Sequence, residues 1–124
     1  MTAPSYVAAN TATYVPMDVA KGSYWAWGFP ILDTAGNPVT VVSAQAQIRS
    51  RDGIVRFEFT GTNLALVASG SPSVAASQVN LRIPSAASTL WDWSSARWSL
   101  EVTTGGETYR ICDGPVSARD ETTR

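Results

Sequence analysis

Few side chains in this sequence could carry out a reaction. Ten residues are acidic and none is histidine. Glycosidic hydrolysis needs two carboxyl groups facing each other across a cleft. The candidates are Glu58 and Glu101 on strand-like stretches, and Asp33, Asp52 and Asp113 at turn-like ones. No spacing selects a pair, and each reads equally as a solvated strand residue or a turn former. Cys112 is the only cysteine, so there is no intrachain disulfide, and a zinc site has no ligands to draw on. Asp52-Gly53 has no neighbouring acids at calcium-loop spacing. Gly70 and Gly105-Gly106 match no nucleotide-binding motif. No catalytic, cofactor-binding or metal-binding residue is assigned, and the expectation is a protein that is not an enzyme and needs no cofactor.

Two other groups could recognise a partner. Arg49, Arg51 and Arg56 gather around one hairpin sequence, but Asp52 and Glu58 dilute them and no basic stripe extends from them. Nucleic acid is therefore not an expected partner. The five tryptophans could serve as stacking platforms for a sugar or as core. Trp27, Phe29, Phe57 and Trp98 are expected in the core, because large aromatic residues are highly buried on average. Trp91 and Trp93 flank Asp92 in a loop sequence, and core and interface both stay open for them.

The elements that must position these groups are strands. Trp25, Trp27, Phe29 and Ile31 fall two apart, so in an extended chain they share a face. The same alternation sets Val42, Ala44, Ala46 and Ile48 inward over 39–50, and Val55, Phe57 and Phe59 over 54–60. Val79, Leu81 and Ile83 follow over 78–83, then Trp98, Leu100 and Val102 over 97–104. Arg51-Asp52-Gly53 and Gly105-Gly106 read as hairpin turns, and Thr34 to Pro38 as a further turn. Residues 15–20 suit a short edge strand because of Pro16. Residues 69–77 read as a flexible loop, 85–91 as one helical turn capped by Ser85, and Asp113-Gly114-Pro115 as a bend.

These stretches predict one all-β domain, an immunoglobulin-like antiparallel sandwich of seven to nine short strands over 14–120. Residues 1–13 read as an extended N-terminal arm and 121–124 as a polar tail. The chain has 124 residues, a net charge of −1 and 15% charged residues, against about 25% in a typical soluble domain. So sparse a charge suggests a surface partly covered by neighbours. The first residues show neither a basic stretch nor an apolar one, and no run is long enough to span a membrane. Assembly in a cytoplasm is the expectation.

Trp27-Gly28-Phe29-Pro30-Ile31-Leu32-Asp33, then Gly36-Asn37-Pro38-Val39 and Ala46-Gln47-Ile48-Arg49, resembles small virion proteins encoded among the tail and baseplate genes of tailed double-stranded DNA phages. Tyr109-Arg110-Ile111, Gly114-Pro115-Val116 and the final Thr122-Thr123-Arg124 are similar to their closing strand and tail. The resemblance implies a β-sandwich structural subunit of a virion, oligomeric, at the tail tip, baseplate or fibre attachment, with other phage structural proteins as partners. Tyr6, Val7 and Tyr14 in or beside the arm, with Trp91 and Trp93, are the expected interface residues. The rival readings are a carbohydrate-binding module that meets a host-surface glycan, and a capsid decoration or head–tail joining protein.

Overall fold

A computed structural model describes residues 12–120 and the short strand at Tyr6–Val7. The strands are β1 (Tyr6–Val7), β2 (Thr13–Tyr14), β3 (Met17–Ala20), β4 (Trp25–Leu32), β5 (Ser43–Arg49), β6 (Val55–Glu58), β7 (Leu64–Ser69), β8 (Val74–Ile83), β9 (Ser95–Thr104) and β10 (Glu107–Arg119). A 3-10 turn, Gly61–Asn63, precedes β7, and one helical turn, α1 (Ser85–Ser88), follows β8. One sheet has the order β1-β4-β8-β7. The other runs β2-β10-β9-β5-β6, with β3 also paired to β10. This is the strand order of an immunoglobulin-like sandwich, with β6 added beside β5 and the short β2 and β3 beside β10. Its pairings are antiparallel except for β1, β2 and β3, which run parallel to their partners.

The alternating stretches form the core as expected. Phe29, Ile31, Ala46, Ile48, Phe59, Val79, Leu81, Ile83, Trp98, Leu100 and Val102 are all buried between the sheets. Trp98 seats its ring on Phe29 at 5.6 Å. Gly53 takes φ +87° at the β5–β6 turn, as the Asp-Gly sequence requires. Asp33 holds the 34–38 turn, its Oδ1 accepting from the backbone N–H groups of Ala35 and Asn37.

Several expectations are corrected. Val42 is 67% exposed and its neighbour Val41 is buried. The cause is a change of sheet: the Val41 N–H donates to Ala76 in one layer and the Val42 N–H to Thr103 in the other, so the alternation breaks between them. Val55 is exposed at the start of the edge strand β6, and Phe57 is only half-buried. Residues 69–77 are not a loose loop but the β7–β8 hairpin. Ser77 is fully buried there, donating to Val74 O at 2.7 Å and accepting from the Ser69 N–H at 3.1 Å. Ser85 does not cap α1; Pro84 occupies that position. Asp113-Gly114-Pro115 is no bend, because β10 runs unbroken through it.

The N-terminal stretch expected as an arm lies partly on its own domain. Tyr6–Val7 pairs with Ile31 and Leu32 in one sheet, and Thr13–Tyr14 with Cys112 and Asp113 in the other. The expected edge strand then follows as β3, four residues in register with β10. At the junction the Val15 N–H donates to Asp113 O, and Val15 O accepts from Trp98 Nε1, both at 2.8 Å. Gly114 makes this approach possible, since a Cβ there would lie 2.3 Å from Val15 O.

Candidate interaction surfaces

Gly28 shapes the outer face of the β4–β8–β7 sheet. A Cβ on it would meet Gln78 Nε2 at 2.6 Å and Asn80 Oδ1 at 2.9 Å. Without one, the two amides lie over β4 and bond each other at 2.7 Å. Ala26 and Ala65 are small as well, so the strands leave a groove of about 430 Å³ between taller neighbours. Tyr24 and Trp27 line it, as do Gln78, Asn80 and Arg82. Arg82 is fixed by Asn63 Oδ1 and Thr62 Oγ1, each at 3.2 Å. The groove thus combines aromatic surface, a pair of amides and a held guanidinium. It offers apolar contact and directional hydrogen bonds, and no group in it is placed as a nucleophile or general base.

Trp27 was expected in the core and is 52% exposed; Tyr24 is 60% exposed. Among the described residues, β4 has a neighbour on its β1 side only at Ile31 and Leu32, so that side is open at Trp27. The sequence reading missed Tyr24, Gln78, Asn80 and Arg82 as possible site residues. The available signal was three polar residues two apart beside a glycine-bearing aromatic strand, which reads equally as a solvated face.

Trp91 and Trp93 are half-buried. They stack on each other at 4.5 Å, and Trp91 sets its edge on Phe57 at 5.9 Å. The contacts continue from Phe57 to Phe59 at 4.9 Å and from Phe59 to Trp25 at 6.3 Å. This ladder of five rings closes one end of the sandwich, so the pair acts in packing and presents only part of its surface. Tyr14 is 67% exposed on β2. Tyr6 and Val7 are described only through their pairing with β4.

The carboxylates do not converge. Asp33 and Asp52 serve turns, the Asp52 carboxylate held below its usual range by hydrogen bonds from the Ser50 hydroxyl and the Ile54 N–H. Glu58 accepts from Gln47 Nε2, and Glu101 pairs with Arg110 at 3.2 Å. Cys112 is fully buried, and desolvation, aided by the Asp113 charge, pushes its thiol up to about 12. Among the described residues no group of three metal-ligating side chains occurs, and no helix is long and apolar enough to cross a membrane.

No protein-family profile matches the chain, and no curated protein matches it. Among solved structures it is similar to the crystal structure of the Lin-41 filamin domain, at 16% identity and a TM-score of 0.43 over 82% of each chain.

Proposed function

We propose that this chain is a non-enzymatic structural subunit of a tailed-phage virion, at the tail tip, baseplate or fibre attachment, acting by docking on neighbouring proteins. The observation that supports docking is the groove bearing Tyr24 and Trp27. Two large aromatic residues, both exposed, line the groove beside small ones, where a partner side chain could bury them. Aromatic residues in such settings dominate interface energetics. The virion setting rests on the sequence resemblance and the sparse surface charge.

The test is a Tyr24→Ala, Trp27→Ala double variant carried on the phage genome, with the chain quantified by mass spectrometry of purified particles. The variant should fold as a purified domain and be lost from particles. The reading fails if the unaltered chain is absent from particles, or if the folded variant is incorporated at the normal level.

The same groove favours a second reading, recognition of a neutral saccharide. Rings beside the Gln78 and Asn80 amides and the Arg82 guanidinium can pack on a sugar face while bonding its hydroxyls. Quenching of Trp27 fluorescence by neutral oligosaccharides, lost in Trp27→Ala, would select it over protein docking.

A further inference from the structure

The opposite outer face, across β5, β9 and β10, carries a second groove of about 570 Å³. Strand register builds it in rows. Arg49 stands directly beside Arg97, and Arg97 beside Pro115. In the next row Ser99 stands beside Asp113. Beyond it lies Arg110, paired with Glu101 at 3.2 Å. The β5–β6 turn adds Ser50 and Arg51 at the end where Arg49 and Arg97 meet. Four arginines thus line one groove with a single lining carboxylate, Asp113, in a chain whose net charge is −1.

Stability does not account for this arrangement. Like charges directly opposite each other on neighbouring strands are destabilising, yet Arg49 and Arg97 are set in that relation. Arg49 is steered by neutral acceptors, Gln47 Oε1 at 2.9 Å and Gly53 O at 3.0 Å, and not by a carboxylate. Among the described residues, the Arg51 and Arg97 side chains have no hydrogen-bond or ion-pair partner. In the adjoining hollow, which shares Ser50, Arg51 and Ser95, Arg56 Nε is buried without an acceptor. Three guanidiniums line the groove, and the carboxylates beside them are Asp113 in its wall and Asp52 in the adjoining hollow, so the cations outnumber the anions.

We propose that this groove binds an acidic saccharide, with its anionic group held between Arg49, Arg51 and Arg97 and its hydroxyls facing Ser50, Ser95 and Ser99. Guanidinium forks match carboxylate, sulfate and phosphate oxygens in pairs. The volume is that of a small-molecule site, enough for one or two sugar rings. Pro115 supplies an apolar floor beside the charged end. An acidic peptide fits less well, because peptide capture on sheets draws on free main-chain groups at an edge, and β9 is paired on both sides. A single-stranded nucleic acid needs exposed rings on which to stack its bases, and Trp98, the ring in this groove, is 3% exposed. The site lies on the other layer from the Tyr24–Trp27 groove, so it stands whether or not the docking reading holds.

The test is an NMR titration of the isotope-labelled full chain at low ionic strength. The probes are trigalacturonate for a carboxylate source, a heparin tetrasaccharide for a sulfate source, neutral maltotriose, hexaglutamate and hexathymidylate. Expected are shifts at Arg97 and Ser99 with one or both charged saccharides and none with maltotriose. Arg97→Gln removes half of the repelling pair and should fold; it should weaken binding about tenfold, the loss of one charge-assisted hydrogen bond. Arg51→Gln at the exposed turn should act in the same direction. Arg119→Gln, which deletes an equal charge outside the groove, should leave binding unchanged. The proposal is overturned if neither charged saccharide binds, if maltotriose binds equally well, or if hexaglutamate or hexathymidylate binds more tightly. Unchanged affinity in the Arg97→Gln and Arg51→Gln variants would overturn it too.

Discussion

Adding one methyl group at Gly114 should damage this domain more than most surface changes could. Its φ is ordinary, so alanine meets no backbone strain there, only lack of space. The new Cβ would sit 2.3 Å from Val15 O and 2.7 Å from Val15 C, both of them backbone atoms. Neither can rotate away, so the segment joining β2 to β3 must lift from β10. Lifting it strains the bond from the Val15 N–H to Asp113 O and the bond from Trp98 Nε1 to Val15 O. Overpacking of this kind costs about 1–3 kcal/mol, and a buried indole N–H left without an acceptor about 1–3 kcal/mol more. The stiffer unfolded chain returns about 0.4–1 kcal/mol. A net loss of about 1–5 kcal/mol follows, which for a domain of this length lowers Tm by roughly 4–20 °C. Thermal unfolding followed by near-UV circular dichroism reads it, and exchange of the Trp98 indole proton should quicken at the same time. Gly53→Ala is the contrast: it has open space but φ +87°, so it should cost only about 1–2 kcal/mol of backbone strain. A Gly114→Ala protein within 1 kcal/mol of the parent would refute the close approach of the N-terminal segment.

Two further outcomes test the packing. Trp91→Ala removes a ring that touches both Trp93 and Phe57, and should cost about 2–3 kcal/mol in chemical denaturation; an unchanged midpoint would make the pair a surface feature. Cys112 should resist a thiol reagent at neutral pH until the protein unfolds, since its folded pKa of about 12 leaves no thiolate to react. That value lies above the unfolded one of about 8.5. The stabilising contribution is therefore intact below the unfolded value and is lost as pH rises toward the folded one. Stability of the parent should fall more steeply over that alkaline window than that of Cys112→Ala, and equal slopes would contradict the burial.

Local pattern carried much of this architecture. Val79, Leu81 and Ile83, and Trp98, Leu100 and Val102, alternate cleanly because their strands lie centrally and one face is wholly covered. The Arg51-Asp52-Gly53 and Gly105-Gly106 turns were legible because glycine there answers a backbone need. Alternation failed where the chain changes layers, at Val41 and Val42, since periodicity does not record which sheet a residue joins. It failed at Trp27 because burial of a strand face depends on what lies beside it. Both grooves escaped for a related reason. Gln78 and Asn80 reach across to Gly28, and Arg97 and Arg110 join Arg49 only through pairings far apart along the chain. Arg49 and Arg51 alone read as a diluted patch until β9 and β10 completed it.

The parallel run of β3 against β10 has a mechanical consequence. The chain enters β3 at Met17 and leaves β10 at Arg119, and the strands are matched from Met17 with Val116 to Ala20 with Arg119. Tension applied through the two ends would therefore draw these strands past each other lengthwise. The bonds between them would be stretched in shear and share the force, instead of opening one at a time like a zipper. Such a clamp suits a part that must keep its shape while being pulled.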